Sequence, residues 1–400
     1  MISIDEARAR ILAGLRPTGN EIVPLAQAAG RVTAAPVLAR VDQPPQDVSA
    51  MDGYAVRAAD GREGTRLRVV GSAPAGHPWA GTLGVGEALR LFTGSIVPAG
   101  ADAVLLQEDA EEADGQVAVR ETVREGRHIR RRGQDFLKDV ELIPRARRLT
   151  ARDVGLAAAG NHPWLSVHRR PRVAILATGD EIALPGEPIP PGGIVSSNAH
   201  ALAAFVAARG GVPLVVPVAR DDANAIAAAA EGHGADLLIT TGGVSVGTHD
   251  LVQAGLARRG LEVDFWKIAM RPGKPLMFGR LGATAVLGLP GNPVSALVCA
   301  ALFALPALDA LAGLPGDAPP TVPAVLATAL PANDHRADHL RARLTAQPDG
   351  IALATAYSRQ DSALLRMLAE ADALILRAPH APPAAARERV QVIPLAPLGL

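Results

Sequence analysis

The sequence predicts a multidomain α/β protein built around a central parallel sheet, with an inserted β-rich domain and a small C-terminal β domain. Strand-like and helix-like runs alternate over residues 171–317, which is typical of a parallel sheet with helices on both faces. Short apolar runs separated by glycine and proline fill residues 41–140 and return over residues 318–400. Such runs indicate β structure on either side of the α/β domain.

The N-terminal part is predicted to be helical and extended, and to be interrupted by the β-rich segment. Ser3 and Glu6 have the S-x-x-E spacing of a capping box at the start of an amphipathic run. A second helical pattern follows Thr150, the predicted N-cap. We therefore predict that residues 1–40 and 141–170 form one elongated, discontinuous domain around the insertion.

Within the α/β domain, four strand-like runs each lead into a helix-like segment: RVAILATG, VPLVVPVARDD, ADLLITTGG and TAVLGLPG. The segment VDFWKIAMRPGKPLMFGRL breaks the alternation and is predicted to pair as a hairpin. The longest apolar stretch, residues 296–305, is followed by Pro306 and Asp309. Because it is too short to span a bilayer, we predict a core helix there.

Composition excludes several classes of partner and site. Forty basic and forty acidic side chains leave no net charge, which argues against nucleic-acid or membrane partners. Three tryptophans, two tyrosines and six phenylalanines are too few for a base-stacking platform. The single cysteine, Cys299, excludes an intramolecular disulfide framework and is compatible with a reducing compartment. The N-terminus lacks the apolar segment of a signal peptide, so we predict a cytoplasmic protein.

Polar and glycine-rich clusters follow all four predicted strands of the α/β domain. In an open α/β sheet, ligands bind outside the carboxyl ends of the strands, so these clusters predict one site. They are Thr178-Gly179-Asp180-Glu181, Arg220-Asp221-Asp222, the run TTGGVSVGTHD at residues 240–250, and Leu289-Pro290-Gly291-Asn292-Pro293.

The third cluster has the composition of an oxyanion-binding loop. Gly242, Gly243 and Gly247 allow the backbone to approach a ligand closely and to direct its N–H groups inward. The helix that follows adds its positive dipole end, which suits a phosphate or a similar anion. The alternative is an ordinary glycine-rich turn between a strand and a helix.

Three carboxylates, Glu181, Asp221 and Asp250, are expected beside that anion. Acids repel an anion unless a cation lies between them, so the pattern predicts Mg²⁺ bound by these three side chains and by phosphate oxygens. The alternative is that Asp180, Asp221 or Asp250 only caps a helix. Zinc spacing, the P-loop pattern and the dinucleotide-binding glycine pattern are all lacking.

A basic turn, WKIAMRPGKP at residues 266–275, adds Lys267, Arg271 and Lys274. Pro272 and Gly273 make this segment a rigid turn rather than a solvated run of charge.

Long motifs along the whole chain resemble the MoeA family of molybdopterin molybdenumtransferases, to which the E-domain of gephyrin belongs. The motifs are SAMDGYAV (49–56), RLFTGSIVPAGADAVLLQE (90–108), IRRRGQD (129–135), TGDEI (178–182), TTGGVSVGTHD (240–250), WKIAMRPGKP (266–275) and GLPGNPVSAL (288–297).

The resemblance implies an enzyme that inserts molybdate into adenylylated molybdopterin and releases AMP. It also implies a molybdopterin-binding, MogA-like α/β domain, a C-terminal domain of β-barrel type and a homodimer. The active cleft of the family lies between the α/β domain of one subunit and the β-rich insertion of the other. Molybdopterin adenylyltransferase and proteins that mature molybdoenzymes are the implied partners.

The functional residues of the family carry over onto positions that match its motifs. The implied catalytic residues are Asp52, Asp135, Glu181, Asp221, Asp250, Lys267 and Arg271. The implied substrate-binding residues are Thr93, Thr178, Gly179, Asp180, Gly242, Gly243, Ser245, Gly247, Lys274, Pro290, Gly291, Asn292, Pro293 and Ser295. Arg271 and Ser295 match positions associated with molybdate.

The chain departs from the family pattern at a few positions. Ser196 stands where an acid is common, Arg271 where lysine is frequent, and Thr248 and His249 where an acid and a small residue are common. A non-catalytic molybdopterin-binding scaffold and a molybdopterin adenylyltransferase remain alternative functions. The sequence leaves open the preference between molybdenum and tungsten and the molybdoenzymes that receive the product.

Overall fold

The computed structural model describes residues 1–242, 251–348 and 350–400. The first segment contains helix α1 (Ile4–Ala13) and strands β1 (Asn20–Pro24) and β2 (Val37–Leu38). The predicted start of α1 is confirmed, because the Ser3 hydroxyl accepts a hydrogen bond of 3.1 Å from the Glu6 N–H. This helix packs against the core of the α/β domain through Ala7 and Ile11.

The β-rich insertion consists of eight strands: β3 (Val48–Ser49), β4 (Gly53–Val56), β5 (Arg66–Ala73), β6 (Glu87–Leu91), β7 (Ala103–Leu106), β8 (Ala110–Ala113), β9 (Gln116–Val119) and β10 (Ile129–Arg130). Six of them form one sheet in the order β7-β4-β6-β5-β9-β8. The remaining pair, β3 and β10, forms a separate antiparallel ribbon.

After the insertion, the chain returns to the first segment through β11 (Glu141–Ile143), α2 (Ala151–Ala159) and β12 (Trp164–His168). β11 pairs with β2, and β12 pairs with β1, both antiparallel. Thr150 is the N-cap of α2, as predicted, and it forms a reciprocal capping box with Asp153. Residues from both sides of the insertion therefore share one small core.

The α/β domain contains β13 (Arg172–Thr178), β14 (Ile182–Ala183), β15 (Ile194–Val195), α3 (Asn198–Ala208), β16 (Val212–Ala219), α4 (Ala223–Ala229), β17 (Leu237–Thr241), α5 (Leu251–Ala257), β18 (Leu261–Trp266), β19 (Met270–Arg271), β20 (Met277–Leu281), β21 (Thr284–Leu289), α6 (Pro293–Cys299) and α7 (Leu305–Leu311). Its sheet has the order β16-β13-β17-β21-β20-β18. The first four strands are parallel, which confirms the prediction. The predicted hairpin is also confirmed, because β18 and β20 pair antiparallel at one edge.

A long apolar helical run lies in the core of this domain. It covers residues Pro293–Leu311, with α6 and α7 joined by a π-helical segment at Ala300–Ala304. Almost all of this run is buried inside the protein. The run is therefore accounted for as a core helix, as expected from the sequence.

The C-terminal domain is a small closed barrel. It contains β22 (Val322–Leu326), β23 (Ala337–Thr345), β24 (Ala352–Ala356), α8 (Leu365–Ala369), β25 (Ala373–Arg377) and β26 (Arg389–Pro394). The strands follow the order β23-β24-β22-β26-β25, and a pairing of β25 with β23 closes the ring. Strand β19 of the α/β domain adds to the outside of the ring by pairing parallel with β23.

Candidate functional site

The carboxyl ends of β13, β17 and β21 surround a cavity of about 360 Å³. This position agrees with the rule that open α/β sheets bind ligands at their strand ends. The cavity is lined, among others, by Thr178, Glu181, Asn198, Thr241, Gly242, Gly291, Asn292 and Pro293. Three of the four predicted clusters therefore contribute to one cavity.

Glycine is required where the strand ends approach one another most closely. Gly242 has a φ of +94°, and a Cβ there would lie 2.5 Å from the carbonyl oxygen of Thr178. A Cβ on Gly291 would lie 3.4 Å from the Cα of Gly242. The sequence predicted close approach of the backbone to a ligand, and the structure adds a close approach between neighbouring strand ends.

An amide at the start of α3 bridges two of the strand ends. The Asn198 amide nitrogen donates to the Thr241 hydroxyl at 2.8 Å and to the Gly291 carbonyl at 2.7 Å. The Thr241 hydroxyl in turn donates to the Pro290 carbonyl at 3.3 Å. The Thr178 hydroxyl, which belongs to a cavity-lining residue only 1% exposed, makes no hydrogen bond among the described residues.

A second, acidic cavity of about 580 Å³ adjoins the first, and Ile182 lines both. It is lined by Gly179, Asp180, Arg220, Asp221 and Asp222. The cap of α4 is Asp222 and not Asp221, because the Asp222 carboxylate accepts hydrogen bonds of 2.9 Å from two N–H groups at the start of the helix. The Asp221 side chain is thereby left available, and its backbone N–H donates to the Asp180 carboxylate at 3.2 Å.

Charge crowding marks Asp221 as a candidate cation ligand. Partial burial of its carboxyl group raises the pKa of Asp221, and the negative charges of Glu181 and Asp180 add to the shift. Among the described residues, no three His, Cys, Asp or Glu side chains are grouped closely enough to hold a metal ion. The predicted residues Gly243, Ser245, Gly247, Thr248, His249 and Asp250 lie outside the described part of the chain.

The basic turn is anchored to the C-terminal barrel and lines neither of these cavities. The Arg271 guanidinium donates two hydrogen bonds to the Asp338 carboxylate, one of them 2.8 Å long from Nε. Its Nη1 also lies 3.5 Å from Asp334, and these carboxylates raise the pKa of Arg271. Two acids of the barrel therefore already pair with the Arg271 guanidinium.

The other predicted members of this region are partly or fully buried. The Lys267 ammonium lies 5.1 Å from the centre of the Trp266 ring, which is cation–π distance. The Lys274 carbonyl accepts a 3.0 Å hydrogen bond from the Ile268 N–H and so closes the turn. Ser295 is buried in α6, 4% exposed.

The C-terminal domain contributes to the cavity wall, which sequence reasoning missed. Ala363 and Leu365 line the main cavity. Just before them, the Ser362 hydroxyl accepts a 2.9 Å hydrogen bond from the Asn292 amide. The Ser362 carbonyl accepts another, of 3.1 Å, from the Val294 N–H. No local pattern in the sequence around Ser362 signals this long-range contact.

The β-rich insertion carries a second group of predicted residues. The Asp52 carboxylate accepts hydrogen bonds from the Thr93 N–H at 2.7 Å and from its hydroxyl at 2.8 Å. These bonds, the backbone one first, lower the pKa of Asp52. Asp135 lines a separate open cavity of about 650 Å³ together with Gly94.

The two groups are not joined within the described chain. Between described residues, we find no hydrogen bond or ion pair linking residues 41–140 to residues 171–317. The structure thus brings Asp52 to Thr93, and Glu181 to Asp180 and Asp221, with no hydrogen bond or ion pair between the described residues of the two sets.

Sequence profiles of three known domains match almost the whole chain. They are the MoeA N-terminal region (domain I and II) over residues 2–160, a probable molybdopterin binding domain over residues 174–310, and the MoeA C-terminal region (domain IV) over residues 323–395.

Curated proteins and solved structures agree with these matches. The chain is 39% identical over 302 residues to a molybdopterin molybdenumtransferase of Nostoc sp., covering 73% of this chain and 69% of that protein. It is 36% identical over 387 residues to molybdopterin molybdenumtransferase 2 of Mycobacterium tuberculosis, covering 94% and 95%. Two solved MoeA structures from Pyrococcus horikoshii superpose with TM-scores of 0.86 and 0.84 at 29% and 27% identity, covering 98% of this chain and 99% of theirs.

Proposed function

The chain belongs to the MoeA family, and on that premise we propose that it is a molybdopterin molybdenumtransferase acting on adenylylated molybdopterin. The observation that carries the proposal is the strand-end cavity with Glu181 in its wall and the acidic cavity of Asp221 beside it. These carboxylates would repel a phosphate ester unless a cation lay between them, whereas an uncharged or cationic ligand would need no such cation. We also propose a cytoplasmic location.

The donor set at this edge suits Mg²⁺, which prefers carboxylate and phosphate oxygens. Glu181 and Asp221 would hold the ion, with Asp250 as a third candidate. When bound, Mg²⁺ neutralises the charge that develops on phosphate oxygens as a phosphoanhydride is cleaved. Partial burial, and after it the charges of Glu181 and Asp180, raise the pKa of Asp221, and a bound cation would offset both effects.

Molybdate, the second substrate, is a tetrahedral dianion and needs cations and N–H donors. The basic turn supplies Lys267, Arg271 and Lys274, and we propose that molybdate binds on its side of the cleft, near Ser295. Of these three cations, Arg271 is the one already paired with carboxylates in the described structure. We therefore assign the larger part of molybdate binding to Lys267 and Lys274.

A transfer assay tests the proposal. The protein would be incubated with adenylylated molybdopterin, Mg²⁺ and molybdate, and both AMP and active cofactor would be measured. We expect Asp221→Asn to reduce AMP release by about tenfold or more through loss of a metal ligand. Asp222→Asn is the matched control, because the neighbouring side chain caps α4 and an asparagine can still do so. Equal activity of the wild type and Asp221→Asn would reject the metal role.

We further propose that the active form is a homodimer in which each site combines Asp52, Thr93 and Asp135 of one subunit with Glu181 and Asp221 of the other. The absence of direct bonds between these sets among the described residues supports this arrangement. Exposed apolar side chains beside the main cavity, Ile194 and Val195, support it as well, because a partner would cover them.

Complementation tests the shared site. Asp52→Asn and Asp221→Asn variants would be prepared separately and then mixed under conditions of subunit exchange. If sites are shared, a mixed dimer has one intact site, and random exchange restores about a quarter of wild-type activity. If each site is built within one chain, no mixture regains activity. A fully active monomer would also reject the proposal.

A further inference from the structure

Asn198 is the first residue of α3 and lies in the wall of the main cavity. Its amide nitrogen makes two hydrogen bonds, to the Thr241 hydroxyl and to the Gly291 carbonyl. One side chain thus ties the start of α3 to the end of β17 and to the turn after β21.

The orientation of this amide is fixed by the chemistry of its partners. The Gly291 carbonyl can only accept, so the amide nitrogen must face it. The Thr241 hydroxyl gives its proton to the Pro290 carbonyl, so it accepts from Asn198. The amide oxygen, Oδ1, is left as the remaining polar atom, and none of the described residues donates a hydrogen bond to it.

A second observation shows that the cavity wall has unused polar capacity. The Thr178 hydroxyl lines the same cavity and, although its residue is almost completely buried, lacks a described partner. Buried polar atoms are nearly always paired, so an unpaired one in a cavity wall points to a polar ligand or an ordered water.

We propose that Asn198 Oδ1 accepts a hydrogen bond from a ring N–H or ring amino group of the substrate. This inference rests on the proposed function. The phosphate, dithiolene and molybdate groups offer anionic acceptors, whereas the heteroaromatic rings carry the N–H donors. Two rings have this chemistry, the pterin and the adenine of the adenylylated substrate. The carbonyl oxygen of Asn198 therefore selects a heterocycle rather than an anion.

The test compares three variants by equilibrium titration with molybdopterin and, separately, with AMP. Asn198→Ala should weaken the affinity for one of the two ligands by about tenfold or more, as expected for an unpaired N–H in a binding site. If the Asn198→Ala variant does not fold, Asn198→Ser removes the same amide oxygen and replaces it in the titrations.

Asn333→Ala is the matched control. The Asn333 amide also donates to backbone carbonyls, at 2.7 Å to Arg336 and 2.9 Å to Ala378, but it lies in the C-terminal domain and lines neither site cavity. It should lower thermal stability without changing either affinity.

The outcomes separate the two proposals. Loss of molybdopterin affinity alone identifies the pterin as the donor. Loss of affinity for AMP and for free adenine, which lacks the ribose hydroxyls, identifies the adenine. If Asn198→Ala binds both molybdopterin and AMP like the wild type, or loses affinity for both of them, Asn198 is only a brace and the inference is wrong. If the wild type itself binds neither ligand, the proposed function fails together with the inference.

Discussion

The ion pair between Arg271 of the basic turn and Asp338 of the C-terminal barrel predicts that removing Arg271 destabilises the protein more than removing Asp338. In this pair, the Asp338 side chain is only 6% exposed, whereas the Arg271 side chain is 49% exposed. Removal of either partner breaks the same hydrogen bonds. The charge left behind differs, because Asp338 would remain buried without a cation, whereas Arg271 could be hydrated and keeps Asp334 at 3.5 Å.

The expected magnitudes follow from these exposures. Removing the partner of a fully buried charge costs about 3–5 kcal/mol. Because water reaches the Arg271 side of this pair, we expect about 2–3 kcal/mol for Arg271→Ala. For Asp338→Ala we expect about 1 kcal/mol, since the remaining guanidinium is half in solvent. The double variant should lose about 1–2 kcal/mol, less than the sum of the single variants.

Urea denaturation followed by Trp266 fluorescence is the appropriate assay. Trp266 ends β18 and is the first residue of the basic turn, and Trp79 and Trp164 can be replaced by phenylalanine so that Trp266 reports alone. A multidomain chain need not unfold in one step, so a local probe is preferable to a global melting temperature. Strictly additive losses, or a larger loss for Asp338→Ala than for Arg271→Ala, would refute the reasoning.

Three further outcomes are expected. Asp221→Asn should be at least as stable as the wild type at neutral pH, because the folded-state pKa of Asp221 is raised and its ionised carboxylate therefore destabilises the fold above that pKa; a lower melting temperature of the variant would contradict this prediction. By the same sign, the affinity for Mg²⁺ should fall as the pH drops through the pKa of Asp221. Gly242→Ala should destabilise the protein more than Gly232→Ala, because Gly232 has a similar φ of +80° but a Cβ there would have no atom within 4 Å. Equal losses of stability in thermal unfolding would show that the close approach to Thr178 does not matter. Thr93→Val should raise the pKa of Asp52 only part of the way to its ordinary value, because the backbone N–H that lowers this pKa most is kept. If NMR titration of the carboxyl group shows no change, the Thr93 hydroxyl does not contribute to the lowered pKa.

The sequence was most informative where the determinants are local. Thr150 and Asp153 mark the start of α2 within four residues, and the alternation of strand-like and helix-like runs is enough to predict the parallel strands. The strand ends then predict the position of the cavity, because parallel connections bring them to one edge of the sheet. Glycine at position 242 was expected for its conformational freedom, although not for its contact with β13.

The features that escaped prediction depend on contacts distant in sequence. Strand β19 is two residues long and pairs with β23, 67 residues further along the chain, so no periodicity reveals it. Arg271 consequently had an expected role but no expected partner. The choice between Asp221 and Asp222 as the cap of α4 was also beyond the sequence, because adjacent acids in a loop have the same local propensity.

The closed ring of the C-terminal barrel has a consequence for the order in which the nascent chain folds. The ring is completed by β26, so it cannot close before residues 389–394 have been synthesised. The core of the α/β domain includes Leu374 and Ile393 of the last two strands, so it too is completed only after these strands have been synthesised. A ribosome that stalled before β26 would leave β22 and β25 with unpaired edges, and incomplete chains would be prone to associate through them.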